Sequence, residues 1–204
     1  MERKGIFYLI QLSRYGPRYQ KPMLLVTLHF WNTLTNSLHL RCGMFMPTLL
    51  DVAAIIGLKP TGETFDPDAC ESNFFFDFDT DRAAFGNYIE DQHIRDEEEV
   101  SDEEHIAFLT FLLSLYVFCT RFIQVAKQYR TLAYQLHEGK QVCLSKLILG
   151  CLYESLNQGV ADMRSQVKSL IIPGPIWLFQ LWLSATFGSD LDAFLSKDFK
   201  EARK

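Results

Sequence analysis

The sequence predicts a mainly α fold: a single helical domain with a short N-terminal extended segment and a long acidic loop. Three observations carry that prediction. Leu144, Leu147, Ile148, Cys151, Leu152 and Leu156 recur at spacings of three and four, as on one face of a helix. Ser101-Asp-Glu-Glu104 is a capping box set just before an apolar run. Ser37-Leu-His-Leu40 alternates polar and apolar residues, as a strand does.

The elements follow in order. A short apolar stretch near the N-terminus stops at Gly16-Pro17. A helix is expected over residues 23–31, behind Pro22, then a turn over 32–36 and the extended segment over 37–40. In PTLLDVAAIIGLKPTG, residues 47–62, Thr48 is the expected N-cap, with Asp51 three residues on. Leu49, Val52, Ala53 and Ile56 share one face, and Gly57 is the expected stop. Residues 60–100 hold Pro60, Gly62, Pro67 and most of the acid, and read as a loop with one helix around 82–91. Behind the Ser101 box, the run is apolar all round, as in a buried central helix. A further helix is expected over 121–137, closed by Gly139, and the 144–156 repeat is expected to end near Gly159. The last helix, over 176–187, opens behind Pro175, and a tail follows over 188–204. There is no internal repeat.

With 204 residues, 48% of them hydrophobic and 17 of them Phe, the chain can fill one core. Its charge is laid out in blocks. Residues 1–60 carry seven basic and two acidic side chains (+5), residues 61–104 two and sixteen (−14), and residues 105–204 eleven and seven (+4). The net charge of −5 is not that of a general nucleic-acid binder, which needs clustered Lys and Arg. The five cysteines are odd in number and show no CxxC spacing, which together with the short apolar core behind Arg3 and Lys4 reads as intracellular and not secreted. Residues 106–120 are uncharged but fall short of the roughly 20 apolar residues of a membrane span. The run over 170–188 is broken by Pro173-Gly-Pro175, so no membrane insertion is expected.

Several motifs come close to a chemistry and then miss it. The segment from Gly57 to Thr64 departs from the P-loop pattern where Glu63 stands in place of Lys, inverting the charge that meets phosphate. Asp77, Asp79 and Asp81 copy the first ligands of an EF-hand, but Arg82 replaces its Gly and Tyr88 its bidentate Glu. His93 and His105 lie among carboxylates without a fixed ligand spacing, so helix capping and a solvated charge run account for them. His29, His39 and His137 are scattered and read as boundary residues. No nucleophile elbow or cysteine-enzyme signature is present, and no enzyme, cofactor or metal site is expected. A helix-turn-helix is also excluded, because the segment after Gly57 holds two prolines, a glycine and growing acidity where the recognition helix belongs.

Taken together, four blocks resemble the plant mobile domain, also termed aminotransferase-like. The first is carried by Trp31, Thr35, His39, Leu40, Cys42, Gly43, Thr48, Leu49, Asp51, Val52, Gly57, Leu58 and Gly62. The second is Ser101 to Leu109, including Glu104 and His105. The third is Leu132 to Leu144, and the fourth is Pro175 to Trp182, including Trp177. They stand in family order, and the domain is placed at residues 5–187. Arg41 and Met44 depart from the family's usual Pro and Glu.

The resemblance implies a nuclear protein in transposon silencing, gene expression and meristem maintenance, working through protein partners, among them a phosphatase-like protein. The aminotransferase label gains no support, since no lysine sits in a recognisable phosphate-binding context. The expected function is a non-catalytic helical interaction module. The alternative is a transposable-element-derived nucleic-acid binder that uses Arg3, Lys4, Arg14, Arg18 and Lys21.

Overall fold

The computed structural model describes residues 20–67, 84–92, 100–120, 124–165 and 171–201, with side chains of the last segment described to 188. Within them the chain is mainly helical with one small sheet. Helix α1 (Lys21–Phe30) opens with Pro22 in its first turn, where the missing N–H costs nothing. Strands β1 (Trp31–Asn32), β2 (Ser37–Leu40) and β3 (Gly43–Phe45) form an antiparallel meander in that order. Trp31 faces Leu38 across the first pairing, and Leu38 faces Phe45 across the second. Only β2 is legible in the sequence, because its neighbours are two and three residues long.

Helix α2 (Leu49–Ile56) is built as its sequence dictates. The Thr48 side chain accepts from Asp51 N at 3.2 Å, and the Thr48 N–H donates to Asp51 Oδ2 at 2.7 Å, completing the capping box. Gly57 takes the left-handed conformation (φ 75°) that ends helices at small steric cost, and its N–H reaches Ala53 O. Val52, Ala53 and Ile56 are buried against α6 (Leu144–Arg164) and α7 (Ile176–Glu201).

The start of the acidic segment is not a free loop. Glu63 N donates to Gln141 O at 2.8 Å, and Cys143 N donates to Glu63 O at 3.0 Å, a parallel bridge. Ser145 Oγ donates to Lys59 O, and buried Gln135 donates to Asp66 O at 2.7 Å. Long-range polar contacts therefore supply an order that local composition does not reveal. The helix expected around 82–91 is present as α3 (Phe85–Gln92), packed through Tyr88 on the helix that follows, α4 (Asp102–Leu112). The rest of the acidic loop, 68–83 and 93–99, lies outside the described residues, as do the EF-hand-like aspartates and His93.

Helix α4 (Asp102–Leu112) starts on Ser101, whose Oγ accepts from Glu104 N at 3.1 Å. It continues as one π-helical turn over Leu113–Val117, and Ile106, Leu109, Leu113 and Val117 all enter the core. The helix expected over 121–137 is shorter than its pattern. Residues 124–126 are extended, held by Ala126 N on Ser114 Oγ at 3.1 Å and by the Ala84–Gln124 bridge. A 3₁₀ turn over Lys127–Tyr129 then leads into α5 (Arg130–His137).

Two other boundaries also differ. Helix α6 passes through Gly159 to Arg164, because the bare Cα there admits Leu28 of α1 and Ile172. A Cβ at that position would sit 3.3 Å from Leu28 Cδ1. Helix α7 runs on to Glu201, past the expected end at 187. Ahead of it, Gly174 has φ 93° and lies so close to α6 that a Cβ would overlap Ser155 Oγ, so only glycine fits.

Candidate functional site

The family-like residues are mostly spent on construction. Trp31 is 3% exposed, and its indole N–H donates to Asn157 Oδ1 at 2.9 Å. Asn157 in turn donates to Asn36 Oδ1 at 3.0 Å, which fixes the β1–β2 turn to α6. The Trp31 ring lies 5.9 Å from both Tyr153 and Phe179, and Phe179 stacks on Trp182 at 5.7 Å. Trp182 then meets Phe187, which meets Phe45 on β3. Blocks separated by some 150 residues thus share one aromatic column, each contact adding about 0.5–1.5 kcal/mol beyond burial. Trp177 is partly buried, with its N–H lacking a geometric partner among the described residues and lying against the Cys119 thiol.

Thr48, Asp51 and Gly57 are the two ends of α2, and Gly43 opens β3 after the two-residue turn Arg41-Cys42. Gly62 is a point of contact between backbones. A Cβ there would lie 2.5 Å from Gln141 O and 2.8 Å from Cys143 N. The near P-loop is therefore a buttress: its second glycine lets residues 62–63 lie against the α5–α6 connection.

The structure pairs two histidines that stand apart in the sequence. His105 Nδ1 lies 2.8 Å from His137 Nδ1, and His137 Nε2 is 3.6 Å from Asp102 Oδ1. His137 is half-buried, as a boundary residue is, but it is not isolated: this contact joins α4 to α5 between the second and third blocks. One ring donates and the other accepts, so the contact requires that the two rings are not both protonated. Glu104 occupies the same turn of α4, with its backbone N–H on Ser101.

His29 and His39 are not scattered either. They line a cleft of about 460 Å³ together with Phe30, Trp31, Asn32, Thr33, Leu34 and Arg164. His29 Nδ1 donates to Leu25 O at 2.8 Å, which turns its other nitrogen away from the helix backbone. His39 Nε2 lies 2.9 Å from Thr35 Oγ1, which contacts Ser37 Oγ at 2.8 Å. Arg164 ends α6 and brings a third basic group. Among the described residues no carboxylate lines the cleft. Its rim is apolar: Leu34 is 92% exposed, and Phe30 is exposed beside it. Val26 lies one turn before Phe30 on α1, and Met44 stands opposite His39 in the β2–β3 register, both exposed.

The plant mobile domain family model matches residues 5–193. The chain belongs to that family. No curated protein and no solved structure gives a significant match. In this plant mobile domain, the matched range holds the aromatic column, the α2 caps, the histidine pair and the cleft. Of the candidate nucleic-acid contacts only Lys21 falls in the described residues, exposed at the start of α1; Arg3, Arg14, Arg18 and Lys4 lie outside them.

The thiols of this plant mobile domain divide by environment. Burial pushes Cys119 up to about 11 and raises Cys151 as well, which keeps both protonated and unreactive near neutrality. Cys143 is buried with its thiol on Pro60 O, whereas Cys42 is exposed on the β2–β3 turn. Burial likewise raises the Tyr88 hydroxyl, which donates to Ala107 O at 3.2 Å between α3 and α4. Among the described residues no group of three or more His, Cys, Asp or Glu is placed to hold a metal ion. No helix among them is long and apolar enough to cross a membrane.

The cleft was not legible in sequence, since Arg164 lies more than 120 residues from His39, and only His39 stands in a family-like block. An available signal was the exposed-face spacing of Val26 and Phe30, four apart on a short helix.

Proposed function

We propose that this chain is a non-catalytic helical interaction module that works through protein partners in the nucleus, in transposon silencing, gene expression and meristem maintenance. The observation that carries the reading is the division of labour among its residues. The aromatic and glycine positions of the family-like blocks are consumed in core, caps and backbone contacts. Large apolar side chains that no core contact requires remain exposed at Val26, Phe30, Leu34, Met44, Met46 and Leu50. Phe30 and Leu34 line one cleft, with Val26 one turn before Phe30 and Met44 opposite His39, and exposed apolar side chains grouped in this way mark partner surfaces.

The test is expression of the tagged full chain in plant cells, with localisation and affinity capture from purified nuclei. Nuclear accumulation with recovery of a specific set of proteins, a phosphatase-like protein among them, supports the reading. A chain that stays outside nuclei, or captures no nuclear protein where a longer relative does, refutes it. Salt-sensitive retention on DNA or RNA in place of protein capture favours the nucleic-acid alternative.

A further inference from the structure

We infer that the His29–His39–Arg164 cleft is the docking site for an acidic amphipathic segment of a partner protein, a carboxylate on Arg164 and its apolar side chains on the rim. This rests on the interaction-module reading above and names its surface. The charge argument is local: among the described residues the cleft is lined by the Arg164 guanidinium and two imidazoles and by no carboxylate, in a chain whose net charge is −5. Arg164 presents a planar guanidinium suited to two-point contact with a carboxylate. His29 donates Nδ1–H to Leu25 O, so the neutral ring presents Nε2 as an acceptor, suited to a backbone N–H of the bound segment. The walls are apolar where a peptide would lean: Phe30 and Leu34 line the cleft, with Val26 and Met44 continuing the surface on either side. About 460 Å³ is room for one or two side chains, not for a folded domain.

The same apolar rim separates this occupant from nucleic acid. A phosphate backbone gains nothing from Val26, Leu34 or Met44, and single-stranded bases need aromatic platforms, of which the cleft offers exposed Phe30. A peptide with alternating carboxylates and Leu or Phe side chains uses every feature of the surface.

The test uses the full chain and a fluorescein-labelled twelve-residue peptide of Glu, Leu and Phe, read by anisotropy. The comparison probes are the same peptide with Lys for Glu, and a single-stranded oligonucleotide. Saturable binding of the acidic peptide is expected, weaker by about tenfold in Arg164→Ala and in Leu34→Asp, and weaker still in added salt. Leu34 and Arg164 are exposed, so both variants are expected to keep the parent's circular dichroism melt; Leu34→Ala, which adds no charge, checks the apolar contribution if the Asp variant unfolds. Equal binding of acidic and basic peptides, or binding indifferent to both substitutions, overturns the inference. Preference for the oligonucleotide overturns it in favour of nucleic acid. Concentration-dependent self-association abolished by Leu34→Asp overturns it in favour of a second copy. Nuclear partners captured equally well by the Leu34→Asp and parent chains would refute this site and leave the interaction-module reading standing.

Discussion

Gly62→Ala is the substitution whose outcome the structure constrains most tightly. The added methyl would be placed 2.5 Å from Gln141 O and 2.8 Å from Cys143 N, and both are backbone atoms that cannot rotate aside. The parallel bridge must part, and two hydrogen bonds go with it, Glu63 N to Gln141 O and Cys143 N to Glu63 O. At about 1 kcal/mol net for each bond and about 1–3 kcal/mol for forced overpacking, the loss is about 3–5 kcal/mol. For a chain of this length that lowers Tm by roughly 10 °C, and lowers the urea midpoint by roughly 2 M for a slope of about 2 kcal/mol per molar. Gly150→Ala is the matched control. Gly150 is exposed mid-helix in α6 with nothing within 4 Å of an added Cβ, so alanine is expected to stabilise by about 0.5–1 kcal/mol. Urea melts of the two variants and parent, followed by circular dichroism, decide the matter. A Gly62→Ala protein that melts with the parent refutes the assignment of the near P-loop as a backbone buttress.

Three further outcomes are expected. Asn157→Leu leaves the buried Trp31 N–H without its acceptor and costs about 1–3 kcal/mol in chemical denaturation; a melt within 0.5 kcal/mol of the parent contradicts the account. Thr48→Ala removes the α2 cap and costs about 1 kcal/mol, whereas Thr48→Ser is close to neutral, as paired urea melts will show. Cys119 holds its proton more tightly folded than unfolded. Its stabilising effect is therefore complete below pH 9 and lost as pH rises from about 9 to about 11, a contribution of about 2–3 kcal/mol that Cys119→Ala should remove in melts across that range, leaving the shallower decline due to Cys151 and the buried tyrosines.

Much of the fold was legible because its signals are local. Thr48 with Asp51, Gly57, Ser101 and Pro175 each act within a few residues, and each sits at the helix end expected of it. The errors arose where distant contacts override local pattern. Residues 121–129 carry helical residues, but Ser114 and Ala84 draw 124–126 into an extended path. Gly159 looks like a helix stop and instead admits Leu28 and Ile172. The site was less legible than the fold. Trp31 and Trp182 could be singled out, but their shared column required α6 and α7 to be in place. His29, His39 and Arg164 meet only because a turn after α1 folds back on the end of α6, which no periodicity records.

The central claim is that the buried and capping residues of the family-like blocks build the scaffold while the exposed side chains between Val26 and Met44, His39 of the first block among them, do the binding with Arg164. Hydrogen–deuterium exchange on the full chain, alone and bound to a nuclear partner recovered by affinity capture, tests it most directly. The account predicts new protection concentrated in residues 26–44 and at the end of α6, with the already protected core of α4 and α7 unchanged. Protection confined to the region around His105 and His137, with residues 26–44 exchanging as in the free chain, would contradict it.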